Sequence, residues 1–203
     1  PLPPVSCNTW FPVGNDGNKV TEANQLEIIK TCGELGIEYV VVDAGWFEGG
    51  WPNGVGNWIP RSDAFPNGLK PLGEAAKAAG VKLGLWFELE RVRAGSMVFN
   101  EHPEWLLRVD GSEDCLLNMG IPEARQWFVD TVSRYVDELG LGYFRHDFNM
   151  DPLPYWQKAD PEGRRGMTEI RYVEGLYEAL DAIHAKYPDL LMEGCSSGGR
   201  RMD

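Results

Sequence analysis

The sequence is short of basic residues: 19 Lys and Arg stand against 31 Asp and Glu, which gives a net charge of -12 over 203 residues. Nucleic-acid backbones and anionic membranes are bound through basic patches, so this balance argues against both kinds of partner. No apolar run reaches the length of about 18 residues that a membrane-spanning helix requires. The sequence therefore predicts a protein that binds neither nucleic acid nor membrane.

Cysteine and histidine are scarce as well. The four cysteines, Cys7, Cys32, Cys115 and Cys195, form no CxxC pair and have no spacing to the 3 histidines that would suit zinc. We interpret them as free thiols in a reduced setting, with disulfides as the open alternative, and this favours a cytoplasmic location. No metal ion is expected.

Nucleotide-binding motifs are also missing. The first predicted strand is not followed by GxGxxG, and the glycine-rich segment 194–199 lacks the Lys-Ser/Thr pair of a P-loop. A reductase is therefore disfavoured, and no lysine is well placed for the Schiff base of an aldolase. No cofactor is expected. The small residues of segment 194–199 instead allow a ligand to approach the backbone closely.

Apolar residues, in contrast, are plentiful: they make up 43% of the chain and include eight Trp, enough for a substantial core. Apolar runs typical of buried strands alternate with segments of helical period. The predicted strands are 5–10, 38–43, 81–88, 116–119, 143–149 and 190–193, and the main predicted helices are 21–35, 69–79, 122–139 and 165–187. The long loop 48–68, rich in Gly, Trp and Asn, is expected to be functional because loops of this length often are.

Six strands that alternate with helices require a parallel sheet with helices outside it, either a doubly wound sheet or a (β/α)8 TIM barrel. Polar and aromatic residues gather at several strand ends: Trp10, Asp43, Trp46, Trp86, Glu88, Asp147 and Cys195. Barrel sites are built from many C-terminal strand ends, so we favour the barrel. We predict a single catalytic barrel domain over residues 1–203 that supplies about six βα units and is incomplete on the C-terminal side.

Asp147 and Asp43 are the candidate catalytic carboxylates. They end different strands at the same face, and paired carboxylates suit glycoside hydrolysis, in which one attacks or activates water and the other protonates the leaving oxygen. Arg145 stands two residues before Asp147, so both side chains point to one side of the strand. A cation there would keep Asp147 ionised. A buried Arg–Asp pair that only neutralises the barrel interior is the alternative.

The neighbouring residues have more than one interpretation. Trp46 and Trp86 could stack on a sugar ring, although burial in the core suits them equally. Glu88 and Glu90 share a face of their segment, so one of them could point into the barrel, but a salt bridge with Arg91 or Arg93 is the preferred interpretation. His146 faces the opposite side of its strand and is expected to pack against a helix, whereas Cys195 is expected to form a wall of the pocket.

Taken in order, these motifs resemble the catalytic barrel of glycoside hydrolase family 36, the melibiase-type α-galactosidases. They are segments 8–10 (NTW), 42–47 (VDAGWF), 65–69 (FPNGL), 86–90 (WFELE), 145–149 (RHDFN) and 195–199 (CSSGG). The likeness covers almost the entire chain, and six motifs in the right order are far more specific than one. The resemblance implies a retaining exo-glycosidase that acts on α-galactosides or related α-glycosides without a metal or cofactor. It also implies an oligosaccharide or glycoside substrate and a full-length protein of a kind that is often a homo-oligomer.

The resemblance further implies roles for single residues. Asp147 falls on the nucleophile that forms a glycosyl-enzyme intermediate, and Asp43 on an acid that holds sugar hydroxyls. Trp86 falls on the tryptophan that lines the sugar subsite. Cys195 and Gly198 fall on residues near the 2-position of the sugar. Together with Trp46 and Arg145, these are the predicted site residues.

Three positions depart from the family pattern. Ala44 stands where the family has a second Asp, Arg145 where it has Lys, and His146 where it has Trp. These changes point to a related α-glycoside, or to a pentopyranoside without the 6-hydroxymethyl group, as an alternative substrate. The family's acid/base Asp is expected beyond Asp203, so this polypeptide alone is expected to be a poor catalyst. A carbohydrate-binding barrel without turnover is the alternative function.

Overall fold

The structure of the protein, a computed structural model, describes residues 3–201. Within that range the strands are β1 (Ser6–Asn8), β2 (Tyr39–Val42), β3 (Lys82–Phe87), β4 (Arg91–Arg93), β5 (Leu106–Arg108), β6 (Asp114–Leu117), β7 (Tyr143–His146) and β8 (Leu191–Gly194). The helices are α1 (Glu22–Glu34), α2 (Lys70–Ala79), α3 (Met97–Glu101), α4 (Pro122–Leu139), α5 (Leu153–Ala159) and α6 (Met167–Lys186). Two short 3-10 helices occupy Gly17–Lys19 and Pro103–Trp105.

Five strands form one parallel sheet in the order β1-β2-β3-β7-β8. Its inner strands are almost wholly apolar: β2 buries Val40, Val41 and Val42, and β3 buries every residue from Leu83 to Phe87. Such continuous runs are typical of parallel strands that are covered on both faces. Helices occur in the connections between the parallel strands, so the predicted architecture, part of a TIM barrel, is confirmed.

The strand predicted at residues 116–119 does not join this sheet. Residues Asp114–Leu117 form β6, which pairs antiparallel with β4 and β5 in a separate three-stranded sheet. The apolar pattern could not separate the two possibilities, because Leu116 and Leu117 are buried in the antiparallel sheet just as they would be in the barrel. The described part of the chain therefore supplies five parallel strands, whereas the alternation predicted six.

Capping residues define where the outer helices begin and end. Thr21 and Asn24 form a reciprocal capping box at the start of α1. Pro122 stands at the first turn of α4, where its missing N–H is not needed, and Gly140 ends the helix in the left-handed region at φ 66°. These boundaries agree with those predicted from the sequence.

The register of the parallel sheet aligns the C-terminal ends of its strands. Val42 of β2 pairs with Leu85 of β3. Phe87 of β3 pairs with His146 of β7, which in turn pairs with Gly194 of β8. The polar residues that follow these strands therefore lie along one edge of the sheet: Asp43, Glu88, Asp147 and Cys195.

A contact between two glycines fixes the loops at this edge. A Cβ on Gly17 would lie 2.1 Å from the carbonyl oxygen of Ala44, and one on Gly45 would lie 2.2 Å from the carbonyl oxygen of Gly17. Gly45 also has φ 97°, which glycine adopts far more readily than other residues. The loops after β1 and β2 thus touch backbone to backbone, which places their aromatic residues side by side.

Candidate active site

A cleft of about 200 Å³ lies at the C-terminal edge of the parallel sheet. Six of the seven residues predicted for the site line it: Asp43, Trp86, Arg145, Asp147, Cys195 and Gly198. Its volume is below the roughly 300–1,000 Å³ of pockets that bury drug-sized ligands, which suits a ligand as small as one sugar ring. The register of the strands, rather than closeness in sequence, brings these residues together.

The carboxylate of Asp147 is held by several donors. Trp86 Nε1 and Asn149 Nδ2 donate to Oδ2 at 3.0 and 2.9 Å, and the backbone N of Phe148 donates to Oδ1 at 2.8 Å. Burial acts to raise the pKa of Asp147, but the hydrogen bonds, first among them those from Asn149 and Cys195, hold this pKa below its ordinary value. Asp147 is therefore ionised at neutral pH although only 7% of its surface is exposed.

Asp43 is the second carboxylate of the cleft and has a different environment. Asn8 Nδ2 donates to its Oδ2 at 2.6 Å, and the backbone N of Ala44 donates to its Oδ1 at 2.8 Å. Burial raises the pKa of Asp43 and the charge of Asp147 adds to the rise, while the two hydrogen bonds and Arg145 oppose it. The pKa values of Asp43 and Asp147 thus move in opposite directions, a pattern that accompanies different roles in paired acids.

Arg145 binds two carboxylates other than Asp147. Its Nε lies 3.4 Å from Asp43 Oδ2, and its Nη1 lies 2.5 Å from Glu193 Oε1. Tyr143 Oη donates to the other oxygen of Glu193 at 2.7 Å. The expectation that Arg145 keeps Asp147 ionised is therefore not met, because neutral hydrogen-bond donors hold that charge. Strand alternation placed Arg145 on the correct side but could not name its partner.

Cys195 and Gly198 form the wall that follows β8. Arg145 Nη2 donates to Cys195 Sγ at 3.5 Å, and the thiol in turn is hydrogen-bonded to Asp147. Burial raises the pKa of this thiol, so it stays protonated and is a poor nucleophile. Gly198 has φ 90°, a conformation that favours glycine. Both residues line the cleft.

Trp46 lies outside the cleft, in contrast to its prediction as a site residue. Its side chain is completely buried, its Nε1 donates to the carbonyl oxygen of Trp86 at 2.9 Å, and its ring packs edge-on against Tyr135 at 5.1 Å. Of the two predicted tryptophans only Trp86 reaches the cleft. Because Trp86 is only 1% exposed, it acts there as a donor to Asp147 rather than as an open stacking face.

Trp51 takes the place in the aromatic wall that the sequence assigned to Trp46. It lies in the long loop 48–68 and meets Trp10 edge-to-face, with ring centroids 5.9 Å apart. Asn18 fixes its backbone on both sides, at 2.9 Å to the carbonyl oxygen and 3.1 Å to the N–H. The unusual length of this loop was the signal that could have identified Trp51.

The placement of Trp46 gives a direct prediction. Trp46→Phe removes part of a buried ring and its hydrogen bond, so we expect it to lower the free energy of unfolding by about 1–3 kcal/mol. Affinity for a sugar ligand is expected to stay within about twofold of wild type, since the residue does not line the cleft. Urea unfolding and calorimetric titration measure the two effects. A large loss of sugar affinity with unchanged stability would contradict this placement.

His146 faces away from the cleft. As predicted, it packs against a helix: its ring meets Phe128 of α4 edge-on, with centroids 5.5 Å apart. Its Nε2 lies 2.8 Å from Glu90 Oε1, and Arg201 Nη1 reaches the same oxygen at 2.8 Å. Burial acts to raise the pKa of Glu90, but the bond to His146 and the charge of Arg201 hold it at about 2. The ion-pair partners of Glu90 therefore come from distant segments, whereas Glu88 has the predicted neighbour, since Arg91 Nη1 lies 3.8 Å from its Oε2.

Within residues 3–201, no group of three or more His, Cys, Asp or Glu side chains is placed to hold a metal ion. None of the helices in that range combines the length and apolar character needed to cross a membrane. The four cysteines are free thiols, in agreement with the sequence.

A parallel sheet that carries an ionised aspartate, a second carboxylate and aromatic residues at its C-terminal edge has the kind of site from which glycoside hydrolase barrels are built. The family follows from the sequence as a whole. The family model described as Melibiase matches residues 2–203. The chain therefore belongs to the melibiase family, as its motifs indicated.

Two curated relatives illustrate the similarity. The alpha-galactosidase AgaA of Geobacillus stearothermophilus is 32% identical over 208 residues, and the probable alpha-galactosidase C of Aspergillus terreus is 31% identical over 219 residues. Each alignment covers 98% of this chain but 28% of the relative. The chain thus spans less than a third of the length of these proteins.

Solved structures show the same relation in three dimensions. A variant of Geobacillus stearothermophilus AgaA, a glycoside hydrolase family 36 α-galactosidase in complex with stachyose, matches with a TM-score of 0.86 and 30% identity. The match covers 99% of this chain and 29% of the AgaA chain. The α-galactosidase of Lactobacillus brevis matches with a TM-score of 0.87 and 29% identity, over 100% of this chain and 28% of that one.

Proposed function

We propose that this chain forms the nucleophile-bearing part of a retaining exo-glycosidase that acts on α-galactosides or closely related α-glycosides. The observation that carries the proposal is Asp147: a largely buried carboxylate whose pKa is held low by its hydrogen bonds, at the edge of a sugar-sized cleft. A nucleophile of this kind must be ionised and fixed in direction before the substrate arrives. Trp86 and Asn149 meet both needs, since they donate to the same oxygen.

The proposed reaction has two displacements. Asp147 attacks the anomeric carbon, the bond from that carbon to the glycosidic oxygen breaks, and the leaving oxygen takes a proton from a general acid. Water then attacks the same carbon, gives its proton to the conjugate base of that acid, and releases Asp147. Two inversions retain the configuration. We assign the general acid to a residue outside those described, because Asp43 is occupied by Asn8 and Arg145. Asp203, which also lies outside the described residues, is not assigned this role, because the resemblance places the acid/base residue beyond it.

We assign Asp43 and Arg145 to recognition of the sugar hydroxyls. Asp43 can accept a hydrogen bond from a hydroxyl and Arg145 can donate one, and both are already oriented by their mutual contact at 3.4 Å. Ala44, which lines the cleft beside them, offers no carboxylate. The proposed substrates therefore include pyranosides without a 6-hydroxymethyl group. A longer saccharide as substrate is supported by the stachyose in the structure of the AgaA relative.

A carbohydrate-binding barrel without turnover is the second candidate. Ala44 favours it, because one acid of the family's hydroxyl-binding pair is replaced. The two candidates differ in product formation and not in binding, since the same cleft would hold the sugar in both.

The test is a screen of the complete protein that carries this sequence with nitrophenyl α-glycosides, including the α-galactoside and its analogue without the 6-hydroxymethyl group. We expect hydrolysis of at least one, with the α-anomer as first product by proton NMR. A β-anomer as first product would overturn the retaining mechanism. Sugar binding by calorimetry without any hydrolysis would establish the second candidate instead.

A further inference from the structure

Glu88 is a carboxylate that the proposed reaction does not use. It follows β3 directly, its side chain is fully buried, and it does not itself line the cleft. Trp51 Nε1 donates to its Oε2 at 3.2 Å, and the backbone N of Asn149 donates to its Oε1. Both partners are residues of the cleft. Glu88 is thus enclosed behind the cleft, with one carboxylate oxygen bound by Trp51 and the other by Asn149.

The partners of Glu88 connect the aromatic wall to the nucleophile. Trp51 stands edge-on to Trp10 at 5.9 Å and bounds the space for the sugar ring. Asn149 donates through Nδ2 to Asp147 Oδ2 at 2.9 Å. A shift of Glu88 would therefore move Trp51 relative to the carboxylate of Asp147. Glu88 itself does not line the cleft, so it would act on the substrate only through these residues.

Charge balance alone does not account for Glu88. Arg91 is the nearby cation, but its Nη1 lies 3.8 Å from Glu88 whereas its Nη2 lies 2.9 Å from Asp114. Arg91 therefore has a closer acidic partner in the antiparallel sheet. A fully buried carboxylate is costly unless its oxygens are satisfied, and the closest contacts that satisfy Glu88 are those to Trp51 and Asn149.

We propose that Glu88 is a positioning residue that fixes Trp51 relative to the Asn149–Asp147 pair and so sets the affinity of the cleft for the sugar ring. The inference deepens the proposed glycosidase function and rests on it for the identity of the ligand. The link between Glu88 and Trp51 itself is a property of the protein that can be measured without turnover.

The protonation state of Glu88 offers a handle on this link. Burial raises its pKa to about 7, and the charged groups that face it are Arg91, which opposes the rise, and Asp147, which adds to it. Asn149 and Trp51 are neutral donors. A proton on a carboxyl oxygen meets a donor N–H, so protonation weakens one of the two contacts. The contact to Trp51 is therefore expected to respond to pH near 7.

The experiment labels the complete protein with 5-fluorotryptophan and follows the fluorine resonance that disappears in Trp51→Phe. In wild type this resonance is expected to shift with a midpoint near pH 7, and in Glu88→Gln to stay constant with pH at a different position. The amide of glutamine places an NH₂ group against one of the two donors, which breaks that contact. Glu90→Gln is the matched control: it alters another fully buried carboxylate, yet should leave the Trp51 resonance where it is.

Kinetics supply the second readout. Glu88→Gln and Trp51→Phe are each expected to raise KM for an α-glycoside by about three- to tenfold with kcat changed by less than about twofold. If Glu88 and Trp51 act through their mutual contact, the KM of the double variant equals that of the single variants. Two independent structural effects would instead multiply.

The outcomes separate the two proposals. A Trp51 resonance that is the same in wild type and Glu88→Gln, or KM effects that multiply in the double variant, would overturn the positioning role and leave the proposed function standing. A Trp51 resonance that titrates through Glu88 in a protein that neither binds nor hydrolyses any glycoside would overturn the proposed function alone.

Discussion

Asp147→Gly is expected to lower kcat/KM for nitrophenyl α-glycosides by about 10³-fold or more in the complete protein, because the substitution removes the attacking oxygen itself. In the wild-type structure the side chain of Asp147 is held in one orientation by hydrogen bonds. Three neutral groups, on Trp86, Asn149 and Phe148, donate to its carboxylate. These donors stay in place in the variant and leave a space of carboxylate size at the anomeric carbon.

That space permits a sharper test than loss of activity. Azide is a small anionic nucleophile, and at millimolar concentration it is expected to restore turnover of an aryl glycoside by Asp147→Gly. The product should be a glycosyl azide of inverted configuration, since only one displacement then takes place. Proton NMR of the product distinguishes this outcome from slow hydrolysis.

Two variants control the result. Asp110→Asn changes a carboxylate whose side chain is 98% exposed and is expected to keep activity within about twofold of wild type. Asp147→Asn keeps the size of the side chain but not its charge, and should be inactive without responding to azide because the space is filled. Full activity of Asp147→Asn, with its sequence verified, would show that the nucleophile lies elsewhere.

The position of Asp147, the proposed nucleophile, could be predicted from the sequence because it depends on one strand pattern and on the common direction of parallel strands. The segment Tyr143–His146 begins with two aromatic residues, as a buried strand can, and Asp147 follows it immediately. Parallel strands end at one edge, so acids that follow different strands were expected to meet there. Six of the seven predicted site residues line the cleft for this reason.

The contacts of Arg145 could not be predicted from the sequence, because they depend on the register between strands. Arg145 and Glu193 are register partners on β7 and β8, 48 residues apart in sequence. The spacing of two residues between Arg145 and Asp147 gave the side of the strand but not the charge that Arg145 would bind. Its long side chain reaches Glu193 on the adjacent strand β8 and also Asp43, which follows β2 on the far side of β3.

The exchange of Trp46 for Trp51 has a related cause. Both follow β2, and nothing in their composition tells which ring turns into the core. The path of the loop decides which ring turns inward, and that path is fixed by the contact of Gly17 with Gly45 and by the two hydrogen bonds between the Asn18 side chain and the Trp51 backbone. Such contacts between separate loops are not expressed in hydrophobic periodicity.

Arg145→Met is expected to have the second largest effect, a fall of kcat/KM by about 100-fold, because it leaves the buried carboxylate of Asp43 and the half-buried carboxylate of Glu193 without their cation. Asp43 and Glu193 both contact Arg145, on opposite ends of its guanidinium group. Without it they repel each other and turn away from the positions that suit sugar hydroxyls. The loss should appear mainly in KM, since these residues are proposed to bind rather than to react.

The pH dependence of kcat/KM tests whether the ionisation of Asp43 causes this loss. Burial raises the pKa of Asp43, and Arg145 is one of the groups that lower it. Removal of Arg145 raises this pKa further, so a smaller fraction of Asp43 is ionised at any acidic pH. If ionised Asp43 binds the sugar, the acid limb of the profile of kcat/KM against pH must move to higher pH in Arg145→Met.

Arg145→Lys is the matched variant, since it keeps the positive charge but replaces the planar group by a single ammonium. We expect it to leave the acid limb close to that of wild type and to lose about tenfold or less in kcat/KM, because one ammonium cannot hold both carboxylates in the same geometry. An acid limb that is identical in wild type, Arg145→Lys and Arg145→Met would show that Asp43 does not bind substrate as a carboxylate. The recognition of the sugar would then have to be assigned to the neutral groups of the cleft, Asn8 and Asn149.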